Sequence, residues 1–183
     1  MIEIEFSRPV LISKMGKAGL EYSIEATPEE CAALATRLGI VALNSLKAEV
    51  RVKHWRKGGA HLIAHATGSL VQNCVVTLED FEQVFAEDVE VQYADPRDKI
   101  LIPDVDDGEL ILDAEGDDPP EMLENDRFDA GEAIAQQLVL SLDPYPRKPG
   151  VEFDKSFSKR EETSPFDVLA ALKTGPGEGS EED

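Results

Sequence analysis

An α+β fold, with a mostly antiparallel β-sheet in the first half and a few packed helices, is predicted by three features of the sequence. Runs of alternating apolar and polar residues are separated by Gly and Pro, two helix starts carry capping residues, and the charge balance changes sign near residue 73. The 183 residues suffice for one ordinary domain, placed at 1–145 and followed by a tail at 146–183. Hydrophobic residues amount to 42% and aromatic ones to only 6%, so the core is expected to consist of Val, Ile, Leu and Ala.

The chain opens on Ile2-Glu3-Ile4-Glu5-Phe6, whose alternation predicts a strand that Arg8-Pro9 interrupts. Beyond Gly16 and Gly19, the alternation of Leu20, Tyr22, Ile24 and Ala26 predicts a second strand, antiparallel to the first. Thr27-Pro28-Glu29-Glu30 marks a helix start: Thr27 caps, Pro28 suits the first turn, and Glu30 completes a capping box at the positive end of the helix dipole. That helix runs over 28–38 and Gly39 stops it. Cys31, Leu34, Ala35 and Leu38 share one face, which reads Cys31 as a small core residue. Residues 40–55 predict one long or broken strand, Gly58-Gly59 a turn, and 60–71 the returning strand of a long hairpin with Leu62, Ala64 and Ala66 on one face. Two more strands are predicted at 74–78 and 84–93.

Residues 94–127 are acidic and broken by Pro96, Pro103, Gly108, Gly116 and Pro119-Pro120, which predicts a long, partly mobile segment with only Leu110-Ile111-Leu112 apolar enough to dock. Asp129, with Glu132 three residues on, caps a helix whose Ile134, Leu138 and Leu142 lie on one face until Asp143-Pro144 ends it. That face is expected to pack on the sheet. In the tail, Ser164-Pro165-Phe166-Asp167 starts a short helix at 165–173, and the Gly- and Glu-rich residues after it are expected to hold no fixed shape, which makes the C-terminal region acidic and partly disordered.

The net charge is −20, which argues against loose, charge-driven binding of nucleic acid by the molecule as a whole. The average conceals a division. Residues 1–73 carry nine Lys+Arg against seven Asp+Glu, whereas 74–183 sum to −22, so the two halves are not expected to meet the same partner surface. No apolar run approaches the roughly 20 residues of a membrane span, and the start lacks the pattern of a signal peptide, so a cytoplasmic location and no membrane partner are expected. Cys31 and Cys74 stand apart and are read as reduced.

No phosphate loop, paired His ligands, Cys-x-x-Cys or nucleophile elbow occurs, so no catalytic residue, metal ligand or cofactor is assigned and the chain is not expected to be an enzyme. His61 and His65 fall on one strand face about 13 Å apart at roughly 3.3 Å per residue, too far to share a metal. Lys47, Arg51, Lys53, His54, Trp55, Arg56 and Lys57 are the one basic concentration in the first half. On a hairpin they would lay cations on phosphates and the Trp55 ring on an unstacked base, which assigns Lys47, Arg51, Lys53, Trp55, Arg56 and Lys57 to RNA. The plainer alternative is that they protect an exposed strand against aggregation.

Val71-Gln72-Asn73-Cys74-Val75-Val76-Thr77-Leu78-Glu79 resembles the Cys-containing strand of the YceD family of large ribosomal RNA subunit accumulation proteins. Ser164-Pro165-Phe166-Asp167-Val168-Leu169-Ala170-Ala171-Leu172-Lys173 resembles that family's C-terminal Asn/Ser-Pro-Phe-x-x-Leu-x-x-Leu-Lys signature. The helix at 130–142 running into Asp143-Pro144-Tyr145-Pro146-Arg147 is similar to the segment between them, in the form seen among α-proteobacterial members. Many members carry a second Cys three residues after the first, where this chain has Thr77, so a zinc site through that pair is not open to it. Cys74 then reads first as a packed strand residue and second as a single exposed thiol.

The resemblance implies a part in the accumulation or processing of large-subunit ribosomal RNA. The partner is then expected to be that RNA, a pre-ribosomal particle, or a basic ribosomal protein held by the acidic second half. The alternative is an adaptor without RNA contact, in which the family motif helix lays Phe166, Leu169 and Leu172, flanked by Pro165 and Lys173, into a groove on a protein partner. The sequence carries no sign of an oligomeric state.

Overall fold

The elements follow from these patterns in a computed structural model that describes residues 4–99, 105–106, 109–110 and 119–152. In chain order they are β1 (Pro9–Leu11), β2 (Leu20–Glu25), α1 (Pro28–Leu38), β3 (Ala42–Trp55), β4 (Gly59–Asn73), β5 (Asp80–Ala94), β6 (Val105–Asp106), β7 (Glu109–Leu110), β8 (Glu121–Met122), β9 (Arg127–Asp129) and α2 (Ala130–Ser141). All belong to the unit Met1–Pro149. The helix expected at 165–173, with Pro165, Phe166, Leu169, Leu172 and Lys173, lies outside the described residues, as does the end of the tail. Among the described residues no helix is long and apolar enough to cross a membrane.

The class is α+β. A five-stranded sheet in the order β2-β3-β4-β5-β8 is antiparallel except for the last pair. One face of it, with Leu46, Ala48, Val50 and Val52 of β3, Leu62, Ala64 and Ala66 of β4 and Val89 of β5, is buried together with the apolar faces of α1 and α2. The other face alternates to solvent, as a half-buried antiparallel sheet does. The long strand at 40–55 is indeed broken, by a bulge between Leu43 and Ser45, which resets the alternation so that Leu43 and Leu46 both point inward.

Both helix starts form as expected. Thr27 Oγ1 accepts from the Glu30 amide and Glu30 Oε2 from the Thr27 amide, and Asp129 caps the Glu132 amide in α2. The Thr27→Ala variant is expected to lose about 1 kcal/mol of stability, read from the urea midpoint. Arg37 of α1 reaches α2 through a bidentate pair with Glu132, both bonds at 2.7 Å, and also meets Glu5. This pairing pushes the Arg37 guanidinium above its ordinary range and the Glu132 carboxyl below its own.

Three expectations are corrected. Residues 4–8 form no strand. Phe6 is fully buried, but the ladder begins at Pro9, and its partner is β9, with Val10 opposite Phe128, while β2 pairs with β3. Docking in the acidic segment is not confined to Leu110-Ile111-Leu112: β8 pairs beside β5, Leu123 is buried, and Asn125 and Asp126, both at positive φ, turn the chain between Glu124 and Arg127. Residues 74–78 are a turn and not a strand, so Cys74 lies just past the end of β4. The turn closes through the Leu78 amide on the Cys74 carbonyl at 2.8 Å and is braced by Asn73, whose amide donates to the Leu78 carbonyl.

Candidate functional site

The basic run sits on the β3–β4 hairpin, paired from Ala42 opposite Val71 to Trp55 opposite Gly59. Arg56-Lys57-Gly58 close it, with Arg56 and Gly58 in left-handed backbone at φ 50° and 83°. Alternation along β3 puts Lys47, Glu49, Arg51, Lys53 and Trp55 on the solvent face of the sheet.

The predicted residues divide into two groups. Lys47 and Arg51 lie mid-strand and pair across to the edge strand β2, Lys47 with Glu25 at 3.1 Å and Arg51 with Glu21 at 2.6 Å, each directly in register. They pin β2 to β3. Lys53 and Lys57, by contrast, have no ion pair among the described residues, and Arg56 lies 5.2 Å from the Trp55 ring centroid and 3.6 Å from Asp98. Lys53, Trp55, Arg56 and Lys57 are therefore gathered at one end of the sheet. Lys47 lies roughly 25 Å back along the strand at about 3.3 Å per residue.

A second segment completes this end. Because Ala60 lies opposite Tyr93, β5 finishes beside the hairpin tip, and Asp95, Arg97, Asp98 and Lys99 line a depression of about 560 Å³ with Lys57 and Gly58. Asp95 accepts from the Arg97 amide and both edges of its guanidinium at 2.7–2.9 Å, which holds the Asp95 carboxyl far below the usual range, while the Arg97 side chain stays 90% exposed. Arg97 and Lys99 escaped the sequence reading because they stand in an acidic stretch some 40 residues from the tip. Only the β4–β5 register brings them there.

Cys74 is fully buried. Its Sγ accepts the Lys148 amide at 3.4 Å, and this bond, the Thr77 hydroxyl and the Thr77 and Val76 amides draw its pKa down to about 6 from 9.0. Cys31, also buried, is shifted upward by desolvation. A thiol depressed in the folded state adds stability as pH rises from about 6 towards 9 and loses it as pH falls through about 6. The urea midpoint is expected to climb over that window in the native chain and to climb less in Cys74→Ala.

His61 and His65 each meet a carboxylate of β5, Glu90 at 2.8 Å and Asp88 at 2.7 Å. Among the described residues no group of three or more His, Cys, Asp or Glu is placed to hold a metal ion. The arrangement at the hairpin end, cations spaced around one ring and one shallow depression, suits a phosphate backbone with an unstacked base.

In comparison with known proteins, the family model described as "Large ribosomal RNA subunit accumulation protein YceD" matches residues 62–173. No curated protein and no solved structure matches the chain.

Proposed function

The chain belongs to the YceD family, whose described role is accumulation of the large ribosomal RNA subunit, and on that footing we propose that it acts without catalysis in the build-up of the large subunit, binding ribosomal RNA through the end of its β3–β4 hairpin. The observation that carries the hairpin's part is the gathering of Lys53, Trp55, Arg56, Lys57 and Arg97 at one end of the sheet in a chain whose net charge is −20. The family match begins at Leu62, so the assignment of 53–57 stands on their chemistry alone. At a net charge of −20, diffuse attraction of RNA is weak, which favours contact at this end, where unpaired bases can reach Trp55.

Affinity purification of the tagged protein at low salt, after ultraviolet crosslinking, tests the reading. Large-subunit RNA crosslinked at residues 53–57 or 97–99 supports it. Ribosomal proteins that remain after nuclease treatment, with no RNA crosslink at this end, would sink the RNA contact.

A further inference from the structure

β5 is paired with β4 along its whole length, from Asn73 opposite Asp80 to Ala60 opposite Tyr93. On its other side only Tyr93 and Ala94 are covered, by β8. Among the described residues nothing pairs with the outer edge from Asp80 to Gln92, roughly 40 Å of strand at about 3.3 Å per residue. Every second amide and carbonyl along such an edge points outward and can template another strand.

The chemistry of this edge is one-sided. β5 carries Asp80, Glu82, Glu87, Asp88 and Glu90 and no Lys or Arg. Asp88 remains 90% exposed and Glu90 67%, even with their histidine contacts. Alternation puts Asp80, Glu82, Asp88 and Glu90 on the solvent face, while Phe81, Phe85 and Val91 face the helix side. The carboxylates oppose pairing with a second copy of the chain, since like charges across a ladder are destabilising. They favour a strand of opposite charge.

From this we propose that the outer edge of β5 is a docking site for an extended, Lys/Arg-rich protein segment, which adds a strand to the sheet with its cations on the solvent face. The site is separate from the hairpin end, and its test contains no nucleic acid, so its failure leaves the RNA reading untouched.

The test is amide hydrogen exchange by NMR on the full chain at low salt, with and without a synthetic peptide of alternating Lys and Thr, long enough to span the edge. The outward amides between Asp80 and Gln92 are expected to slow by about tenfold or more when the peptide is added. The same peptide should leave them unchanged in the triple variant Glu82→Lys, Asp88→Lys, Glu90→Lys, with a cooperative urea transition as the check that this variant folds. Peptide binding without slowing in β5 would reduce the effect to diffuse attraction and overturn the proposal. So would outward amides already slow in the chain alone, because its own residues would then cover the edge.

Discussion

Replacing Gly68 by valine is expected to destabilise the domain by about 3 kcal/mol or more. Gly68 stands in the middle of β4, opposite Leu46 on one side and Phe85 on the other. A Cβ there would lie 2.1 Å from the Ser45 carbonyl oxygen and 2.7 Å from the Phe85 ring. The first of these is backbone, next to the β3 bulge, so no rotamer change relieves it and the ladder itself must open. The Phe85 ring lies over the missing side chain, which covers what the glycine leaves bare. At a urea m-value of about 2 kcal/mol/M, the loss moves the midpoint down by about 1.5 M. Gly16 supplies the control: its φ is not positive and a Cβ there meets nothing within 4 Å, so Gly16→Ala should be neutral or gain about 0.5 kcal/mol. Equal midpoints for Gly68→Val and the native chain would show that β3 and β5 do not close on β4 as described.

What was legible in the sequence was local. Thr27 with Glu30 and Asp129 with Glu132 announce both helices because a cap satisfies amides within four residues of itself. Gly58-Gly59 between two alternating runs announces the hairpin. The turn at 74–78 was hidden by Val75, Val76 and Thr77, which favour strands by their branching, while the residues that make it a turn are Asn73 and the positive φ of Leu78. Its signal was Asn73 at the start and the charged pair Glu79-Asp80 at the end. The N-terminal alternation was misleading in another way: Phe6 is buried in the core, against Gly131 of α2, without joining a ladder, so burial alone reproduced half of a strand pattern. The partner of β1 lies near residue 128, far beyond the range of any periodicity argument. The same holds for the site, where 53–57 could be read from a single run but Arg97 required the register of β5.

The second large effect concerns the hairpin end. If Lys53, Arg56, Lys57 and Arg97 each meet one phosphate of single-stranded RNA, the logarithm of the affinity should fall against the logarithm of salt with a slope of about −3, and binding should drop about 50-fold between 50 and 200 mM salt. Trp55 is the sole tryptophan of the chain, so quenching of its fluorescence reports the binding directly. Reversing the four cations to Glu is expected to abolish measurable binding and association with pre-ribosomal particles. Trp55→Ala should weaken binding by about tenfold or more, with the slope retained, because stacking releases no counterions. Neutralising Lys47 and Arg51 to Gln should change the slope by less than one, since both lie mid-strand, roughly 25 and 13 Å back from Trp55 at about 3.3 Å per residue. The two sets differ in position but not in residue type, so a general attraction for positive charge would make them equivalent. A slope that responds equally to both, or to neither, would overturn the proposed RNA contact at the hairpin end.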